Sequence, residues 1–163
     1  MHQTQSSPRR PSKILLATDL SARSDRALDR ATQLANQWGA ALIVVHALEE
    51  QSEAMRSSYR YEDLPSWRRP PSPADAVEAK IRQDIREIVS DLRIIVTQGD
   101  PAKAILETAG REHCDLIVVG AARDQGLGRI NLGQIVENLI RRAPTSVLVV
   151  KTRPSGEPSV YRR

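Results

Sequence analysis

Four glycines separate a short apolar run from a helical pattern near the end of the chain, in a setting that suits phosphate binding. Residues 115–120 are rich in branched apolar side chains, which is typical of a strand buried on both faces. The glycines follow at Gly120, Gly126, Gly128 and Gly133, and apolar residues then recur at helical spacing. Because the N-terminus of a helix after a parallel strand attracts anions, this segment predicts an anion-binding loop.

A carboxylate, Asp19, follows the first predicted strand and offers acceptor oxygens at a second loop. Strand and helical patterns then alternate along the whole chain, so that we predict five strands and four helices. The predicted strands are residues 13–18, 41–47, 93–97, 115–120 and 146–151. The predicted N-terminal helix caps are Ser21, Ser72 and Asp100, and Gly39 is predicted to end the first helix. The second helix is expected to carry an apolar stripe, formed by Val77, Ile81, Ile85, Ile88 and Leu92.

This alternation predicts an α/β fold, a doubly wound five-stranded parallel sheet with helices on both faces. The flavodoxin-like, Rossmann-like strand order 3-2-1-4-5 is the expected one, and it places strands 1 and 4 side by side. Asp19 and Gly120 therefore open onto one crevice, although 101 positions separate them in the sequence.

The composition excludes several classes of function. The net charge of +4 is mild and the arginines are scattered, so we expect no specific nucleic-acid binding. Cys114 is the only cysteine, and no apolar run approaches the roughly 20 residues that span a bilayer, so we expect a cytoplasmic protein without a membrane partner. The neighbours His113 and Cys114 cannot converge as a nucleophilic pair, and the three histidines lack metal-ligand spacing.

The chain is expected to form one domain with two tails. Residues 1–11 are polar and proline-containing, which predicts a disordered N-terminal tail, and residues 153–163 predict a flexible C-terminal tail. The domain covers residues 12–152, and it contains a long irregular loop at residues 49–73.

Several motifs together resemble the universal stress protein family, and the likeness covers residues 12–152. They are Ile-Leu-Leu-Ala-Thr-Asp-Leu-Ser from residue 14, Val-Val-His from residue 44, Gly-Asp-Pro from residue 99, Cys-Asp-Leu-Ile-Val-Val-Gly from residue 114, and Leu132-Gly133 running on to Arg-Arg-Ala-Pro-Thr-Ser-Val-Leu-Val-Val. The resemblance implies the fold derived above and a homodimer that pairs through the last strand, Ser146–Lys151.

The resemblance also implies an adenine-nucleotide site, because many family members bind ATP through Gly, two residues, Gly, nine residues, Gly, then Ser or Thr. Two of these four positions match, Gly120 and Gly133, whereas Arg123 and Gln134 depart from the pattern. Arg123 has a Cβ that disfavours the same backbone path, but its guanidinium is a cation for a phosphate, and the amide of Gln134 still donates. The implied binding residues are Ala17, Thr18, Asp19, Ala47, Gly120, Arg123, Gly126, Gly133, Gln134 and Ile135, with Asp19 and Ala47 at the adenine end.

We therefore expect a dimeric stress-response protein that binds ATP or another adenine nucleotide, acts on an unknown protein partner, and is at most a slow ATPase. A nucleotide-free dimeric adaptor is the main alternative. A phosphoacceptor receiver domain would use Asp19, Asp100 and Lys151. An adenine-nucleotide hydrolase ranks last, because such enzymes carry a glycine-rich phosphate loop after strand 1 and residues 19–24 contain no glycine.

Overall fold

The computed structural model describes residues 9–48, 65, 72–85, 89–123, 130–131 and 133–151, with backbone alone at residues 22, 23, 122, 123, 130 and 131. Residues 1–8 and 153–163, and most of the predicted loop at residues 49–73, lie outside the described residues. Residues 9–11 belong to no helix or strand. The two tails and the irregular loop therefore stay predictions.

Strands and helices alternate as the sequence predicts. In chain order they are β1 (Lys13–Ala17), α1 (Ala22–Trp38), β2 (Ala41–Leu48), α2 (Pro73–Asp84), β3 (Leu92–Gln98), α3 (Pro101–Arg111), β4 (Leu116–Arg123), β5 (Ile130–Asn131), α4 (Gly133–Arg142) and β6 (Ser146–Lys151). None of the helices in the described part of the chain is both long and apolar enough to cross a membrane.

Five of the strands form one parallel sheet in the order β3-β2-β1-β4-β6. Because β6 is the fifth strand predicted from the sequence, the predicted order 3-2-1-4-5 is confirmed. The short β5 was not predicted, and it pairs antiparallel with the end of β4.

The side chains of the central strands alternate between two apolar layers. On one face of the sheet, Leu16 packs with Ala27 of α1 and Ile81 of α2, and we call this side the α1 face. On the other, Leu15 packs with Leu139 of α4 and with residues of α3, and we call this side the α4 face. Both layers are built mainly from Ile, Leu, Val and Ala side chains, and Trp38 packs against the α1-face layer.

Three helix ends predicted from the sequence have the expected chemistry. Gly39 adopts φ +64°, the left-handed conformation that ends α1. Ser72 accepts from the backbone N–H of Asp75, whose carboxylate reaches back to Ser72, so that α2 begins with a capping box. Asp100 caps α3 through a bond of 2.7 Å from the Lys103 N–H.

The predicted length of α2 is wrong. The helix ends at Asp84, and Ile85 is already extended, with φ −76° and ψ 100°. Leu92, the last residue of the predicted stripe, begins β3 instead, although it packs against the same α1-face layer as Val77. Apolar spacing alone cannot separate a continuing helix from a turn that delivers the next strand to the same layer. Ile88 lies outside the described residues.

The predicted end of strand 4 at Gly120 is also wrong. β4 continues to Arg123, because Ala122 and Arg123 pair with Asn131 and Ile130 of β5. The first residues of the predicted glycine loop therefore belong to a two-stranded antiparallel extension of β4.

Asp115 joins the starts of β1 and β4 at the amino edge of the sheet. Its Oδ2 atom accepts from the Ser12 N–H at 2.8 Å, the Ser12 hydroxyl at 2.8 Å and the Lys13 N–H at 2.9 Å. These bonds, those from Ser12 foremost, lower the pKa of the Asp115 carboxyl. The ionised form is therefore the one that the fold stabilises.

We predict that Asp115→Asn lowers the free energy of unfolding by about 1–2 kcal/mol at neutral pH, because a neutral acceptor replaces a charged one. Since the folded pKa is lowered, the stabilisation is present above the unfolded carboxyl pKa of about 3.9 and is lost as the pH falls through the folded value. Urea unfolding at a series of pH values measures both effects, with exposed Asp91→Asn as the control. A deficit in Asp115→Asn that does not shrink in acid would contradict this explanation.

His113 ends α3 in the left-handed region, with φ +55°. Its N–H donates to the Gly110 carbonyl and the Cys114 N–H donates to the Ala109 carbonyl at 2.9 Å, which is the Schellman pattern. We predict that His113→Gly raises the free energy of unfolding by about 0.5–1 kcal/mol, because glycine adopts this conformation without a Cβ clash. Thermal unfolding measures the gain, and an equal gain in His113→Ala would show that backbone strain is not its cause.

Candidate functional site

β1 and β4 are neighbouring strands, as the sequence predicts, although β4 runs four residues past the point where β1 ends. Ala17 is opposite Val119 in the parallel register. After β1 the chain enters α1 on one face of the sheet, whereas after β4 it enters α4 on the other face. The two connections therefore diverge at a topological switch point, the place where open α/β sheets bind ligands.

The backbone N–H groups of the β1–α1 connection are hydrogen-bonded within the protein. Thr18 N donates to the Val45 carbonyl at 3.1 Å, Asp19 N to Ser24 Oγ at 3.2 Å, Leu20 N to Thr18 Oγ1 at 3.1 Å, and Ser21 N to Asp19 Oδ1 at 2.9 Å. A phosphate loop needs N–H groups that point at the ligand. The N–H groups of residues 18–21 are already bonded, which disfavours a phosphate loop at this position.

Two serines fix the carboxylate of Asp19. Its Oδ1 atom accepts from the Ser21 N–H at 2.9 Å and from the hydroxyls of Ser21 and Ser24, each at 2.5 Å. Ser24 is only 6% exposed, so this bond is shielded from water, whereas Asp19 itself is exposed. The prediction that Ser21 caps α1 needs correction: it occupies the N-cap position, but its hydroxyl donates to Asp19 and no side-chain cap bond forms.

Leu20 adopts φ +59°, a left-handed conformation that costs a residue with a branched side chain about 1–2 kcal/mol. Its side chain packs against the α1-face layer, and its N–H is bonded to Thr18. Burial and hydrogen bonds therefore hold a backbone conformation that leucine alone would not favour. As a result, the backbone is held in place on either side of Asp19, at Thr18 and at Leu20.

His46 links the end of β2 to the end of β1. Its Nδ1 atom lies 2.9 Å from the Thr18 carbonyl oxygen, and because a carbonyl only accepts, Nδ1 is assigned the hydrogen. The ring is partly buried, as expected for a packed histidine. The next residue, Ala47, is half-buried and opposite Thr97 of β3. Thr18, directly after β1, is thus joined through His46 to the end of β2, where Ala47 lies.

The start of α4 supplies the opposite side of the crevice. Gly120 is partly buried in β4 and opposite Val150 of β6, while Gly133 begins the helix with φ +71°. A Cβ on Gly133 would meet no atom within 4 Å, so the backbone conformation, not space, requires glycine there. Gln134 and Ile135 are exposed in the first helical turn.

Two predicted site residues are less well described. The backbone of Arg123 is extended and paired with Ile130, so its path is that of a strand and not of the predicted loop. Its side chain, and the whole of Gly126, lie outside the described residues. Ala17 is 6% exposed and packs in the α4-face layer, so its side chain contributes to the core beneath the crevice.

The surroundings of Cys114 disfavour a role as a nucleophile. Cys114 is buried at the amino edge of the sheet, opposite the crevice, and burial raises the pKa of its thiol to about 11. The part of the chain that the structure describes contains no group of three or more His, Cys, Asp or Glu residues that would hold a metal ion. Asp100 is used as the cap of α3.

Comparisons with known sequences agree with the fold and the resemblance. The profile of the Universal stress protein family matches residues 11–151. A Thermus aquaticus relative, the universal stress protein in the QAH/OAS sulfhydrylase 3′ region, is 32% identical over 146 residues, which cover 85% of this chain and 97% of the relative.

Solved structures give the same result. A universal stress protein in complex with cAMP is 26% identical, with a TM-score of 0.62 over 87% of this chain and 98% of that one. The structure of MJ0577, from Methanocaldococcus jannaschii, is 25% identical, with a TM-score of 0.65 over 90% of this chain and 100% of that one.

We predict that Ser24→Ala lowers the free energy of unfolding by about 1–3 kcal/mol, because it removes a buried donor to Asp19 and the acceptor of the Asp19 N–H together. Urea unfolding measures the loss, with the exposed Ser90→Ala as a matched control. Equal stability of the two variants would contradict a structural role of the Asp19–Ser24 pair.

Proposed function

Because the chain belongs to the universal stress protein family, we propose that it is a stress-response protein that binds an adenine nucleotide in the crevice between β1 and β4. The observation that carries the proposal is the adjacency of β1 and β4, which brings the Asp19 connection and the start of α4 to one edge of the sheet. The cAMP complex of a similar universal stress protein supports the choice of an adenine nucleotide.

Asp19 and the backbone of Ala47 are the proposed contacts of the base. A carboxylate whose Oδ1 is held by two serines is oriented before the ligand arrives, so that little ordering is required on binding. Thr18 stands between these contacts, with its carbonyl bonded to His46 and its N–H bonded to Val45. The base would therefore meet a connection that is already ordered.

The phosphates are assigned to the start of α4. Gly120, Gly133, Gln134 and Ile135 border this end, and the N-terminus of a ten-residue helix favours negative charge. Gln134 replaces the small hydroxyl of the family pattern with an amide that still donates. Arg123 and Gly126 remain proposed ligands on the sequence pattern alone.

Binding without efficient turnover is the proposed mode of action. Hydrolysis needs a base or a metal-bound water beside the γ-phosphate. Asp19 is directed at Ser21 and Ser24, and Cys114 is at the other edge of the sheet. A nucleotide bound beside the start of α4 would change the surface presented to a protein partner.

The receiver alternative is disfavoured by the sheet order. In this sheet β2 lies between β1 and β3, so the ends of β1 and β3 are two strand spacings, about 10 Å, apart. Asp19 and Asp100 cannot then share one phosphorylation site, and Asp100 already caps α3. The nucleotide-free adaptor is the alternative that the next experiment tests.

Isothermal titration of nucleotide-stripped protein with ATP and AMP is expected to give one site for each chain. Asp19→Asn keeps an acceptor for Ser21 and Ser24 but removes the charge, and we expect it to weaken AMP binding about tenfold, or about 1.4 kcal/mol. Asp91→Asn is the control. Flat heats for the unmodified protein at millimolar nucleotide would favour the adaptor.

A homodimer formed by edge pairing of β6 is the second part of the proposal. Among the described strands, β6 pairs with β4 alone, so that its other edge presents backbone donors and acceptors. Its four central residues, Val147, Leu148, Val149 and Val150, are only half-buried. Aliphatic side chains on an open strand edge favour pairing with a second copy of the same strand.

We predict that the protein has twice the chain mass of 18.1 kDa in sedimentation equilibrium, and that Val150→Lys reduces it to the monomer. A lysine on the edge strand opposes pairing by its charge and hydration. Ser90→Lys, at an exposed position outside β6, is the control. A folded Val150→Lys variant that stays dimeric would contradict pairing through β6.

A further inference from the structure

Arg26 reaches from the second turn of α1 to the carboxyl end of β6. Its Nη1 atom donates to the Lys151 carbonyl oxygen at 2.7 Å, across 125 positions of sequence. The side chain is partly exposed, and Lys151 is exposed. The contact brings two basic residues, neither of which belongs to the family's nucleotide pattern, to the same edge of the sheet as the crevice.

The strand register gives the place of this contact relative to the crevice. Lys151 is opposite Ala121, one residue beyond Gly120 in β4. Neighbouring strands are about 4.8 Å apart, so the Lys151 carbonyl lies roughly one strand spacing from the point where β4 passes the crevice. The guanidinium of Arg26 is bonded to that carbonyl, which puts it within reach of a phosphate chain lying beside Gly120 and Ala121 of β4.

The guanidinium is not neutralised by the described part of the protein. No described carboxylate lies within ion-pair distance of Arg26, including those of Asp25 and Asp29 on the same helix. A guanidinium has five N–H donors, and the bond to Lys151 uses one of them. The remaining donors suit the oxygens of a phosphate, which guanidinium binds in a bidentate manner.

The crevice needs cations from side chains, because one of its two connections offers little to an anion. The N–H groups of residues 18–21 are bonded within the protein, and Asp19 adds a negative charge on that side. At Gln134 an uncharged amide replaces the small hydroxyl of the family's phosphate pattern. A positive side chain at the end of β6 offsets both effects.

We propose that Arg26 binds the phosphate groups of the nucleotide and gives the crevice its preference for polyphosphates over the bare nucleoside. The inference rests on the proposed function and names the group that selects for phosphate. In the competing interpretation, Arg26 only anchors the end of β6 to α1.

Titrations of ATP and adenosine against Arg26→Gln, Arg26→Lys and Arg30→Gln distinguish the two. Arg30 is the matched control, because it lies one turn further along α1, is also half-buried and donates to Gln33 at 3.0 Å. For Arg26→Gln we expect about a tenfold loss of ATP affinity and less than a twofold change for adenosine. Arg26→Lys should keep part of the ATP affinity, because it keeps the charge but loses the bidentate geometry, and Arg30→Gln should keep all of it.

The ionic strength provides a second readout. The ATP affinity of the unmodified protein should fall as salt is added, and the fall should be shallower in Arg26→Gln, since one screened charge has been removed. Equal losses for ATP and adenosine in Arg26→Gln would overturn the inference in favour of anchoring alone. Unchanged ATP affinity in that variant would overturn it as well. No binding of either ligand by the unmodified protein would instead overturn the proposed function on which it rests.

Discussion

The parallel pairing of β1 with β4 is the constraint on which the rest of the site depends. Both strands are buried on both faces, with Leu15, Leu16, Ile117 and Val118 all fully shielded from water. A shift of register by one residue would move each of these side chains to the opposite face of the sheet, and the packing of both apolar layers would be lost. The pairing is therefore held by the same apolar burial that holds the domain together. Because α1 and α4 leave on opposite faces, the crevice follows from the strand order.

The two connections at this crevice have different chemistry. In the β1–α1 connection, the N–H groups of residues 18–21 and the Oδ1 atom of Asp19 all have hydrogen-bond partners within the protein. This connection can orient a base but offers little to an anion. The start of α4 is more open to an anion. Gly133 adopts the left-handed backbone conformation that favours glycine, and the first turn of the helix is exposed. This asymmetry suits a ligand that is polar at one end and anionic at the other, as a nucleotide is.

The fold was predictable because its signals are local and agree with one another. Runs such as residues 41–47 are apolar on both sides of the strand, which occurs when helices cover both faces of a sheet. Gly39 and Asp100 mark helix ends through the conformation or the hydrogen bond that each residue type supplies. Right-handed crossovers then leave few ways of ordering five parallel strands.

The errors and omissions concern contacts that a sequence pattern does not contain. Ile85 and Leu92 continue a helical spacing, yet Ile85 already lies past the end of α2 and Leu92 begins β3. β4 is longer than predicted because β5 pairs with it. Such pairing is a tertiary contact, which the local apolar pattern of β4 does not contain. The contact of Arg26 with Lys151 joins α1 to the last strand, so no local pattern could reveal it. The sequence thus identified the strands that carry the site residues, but it did not reveal the hydrogen bonds that hold those residues in place.

The central claim is that an adenine nucleotide occupies the edge where β1 and β4 end, and amide hydrogen exchange with and without ATP tests it most directly. Ligand contact slows exchange by stabilising the closed state of the backbone around it. We expect ATP to slow exchange in peptides that cover residues 17–24 and the first turn of α4, and to leave α2, at Pro73–Asp84, unchanged. Saturating ATP that alters neither region, or that protects α2 instead, would contradict the assignment of the crevice as the nucleotide site.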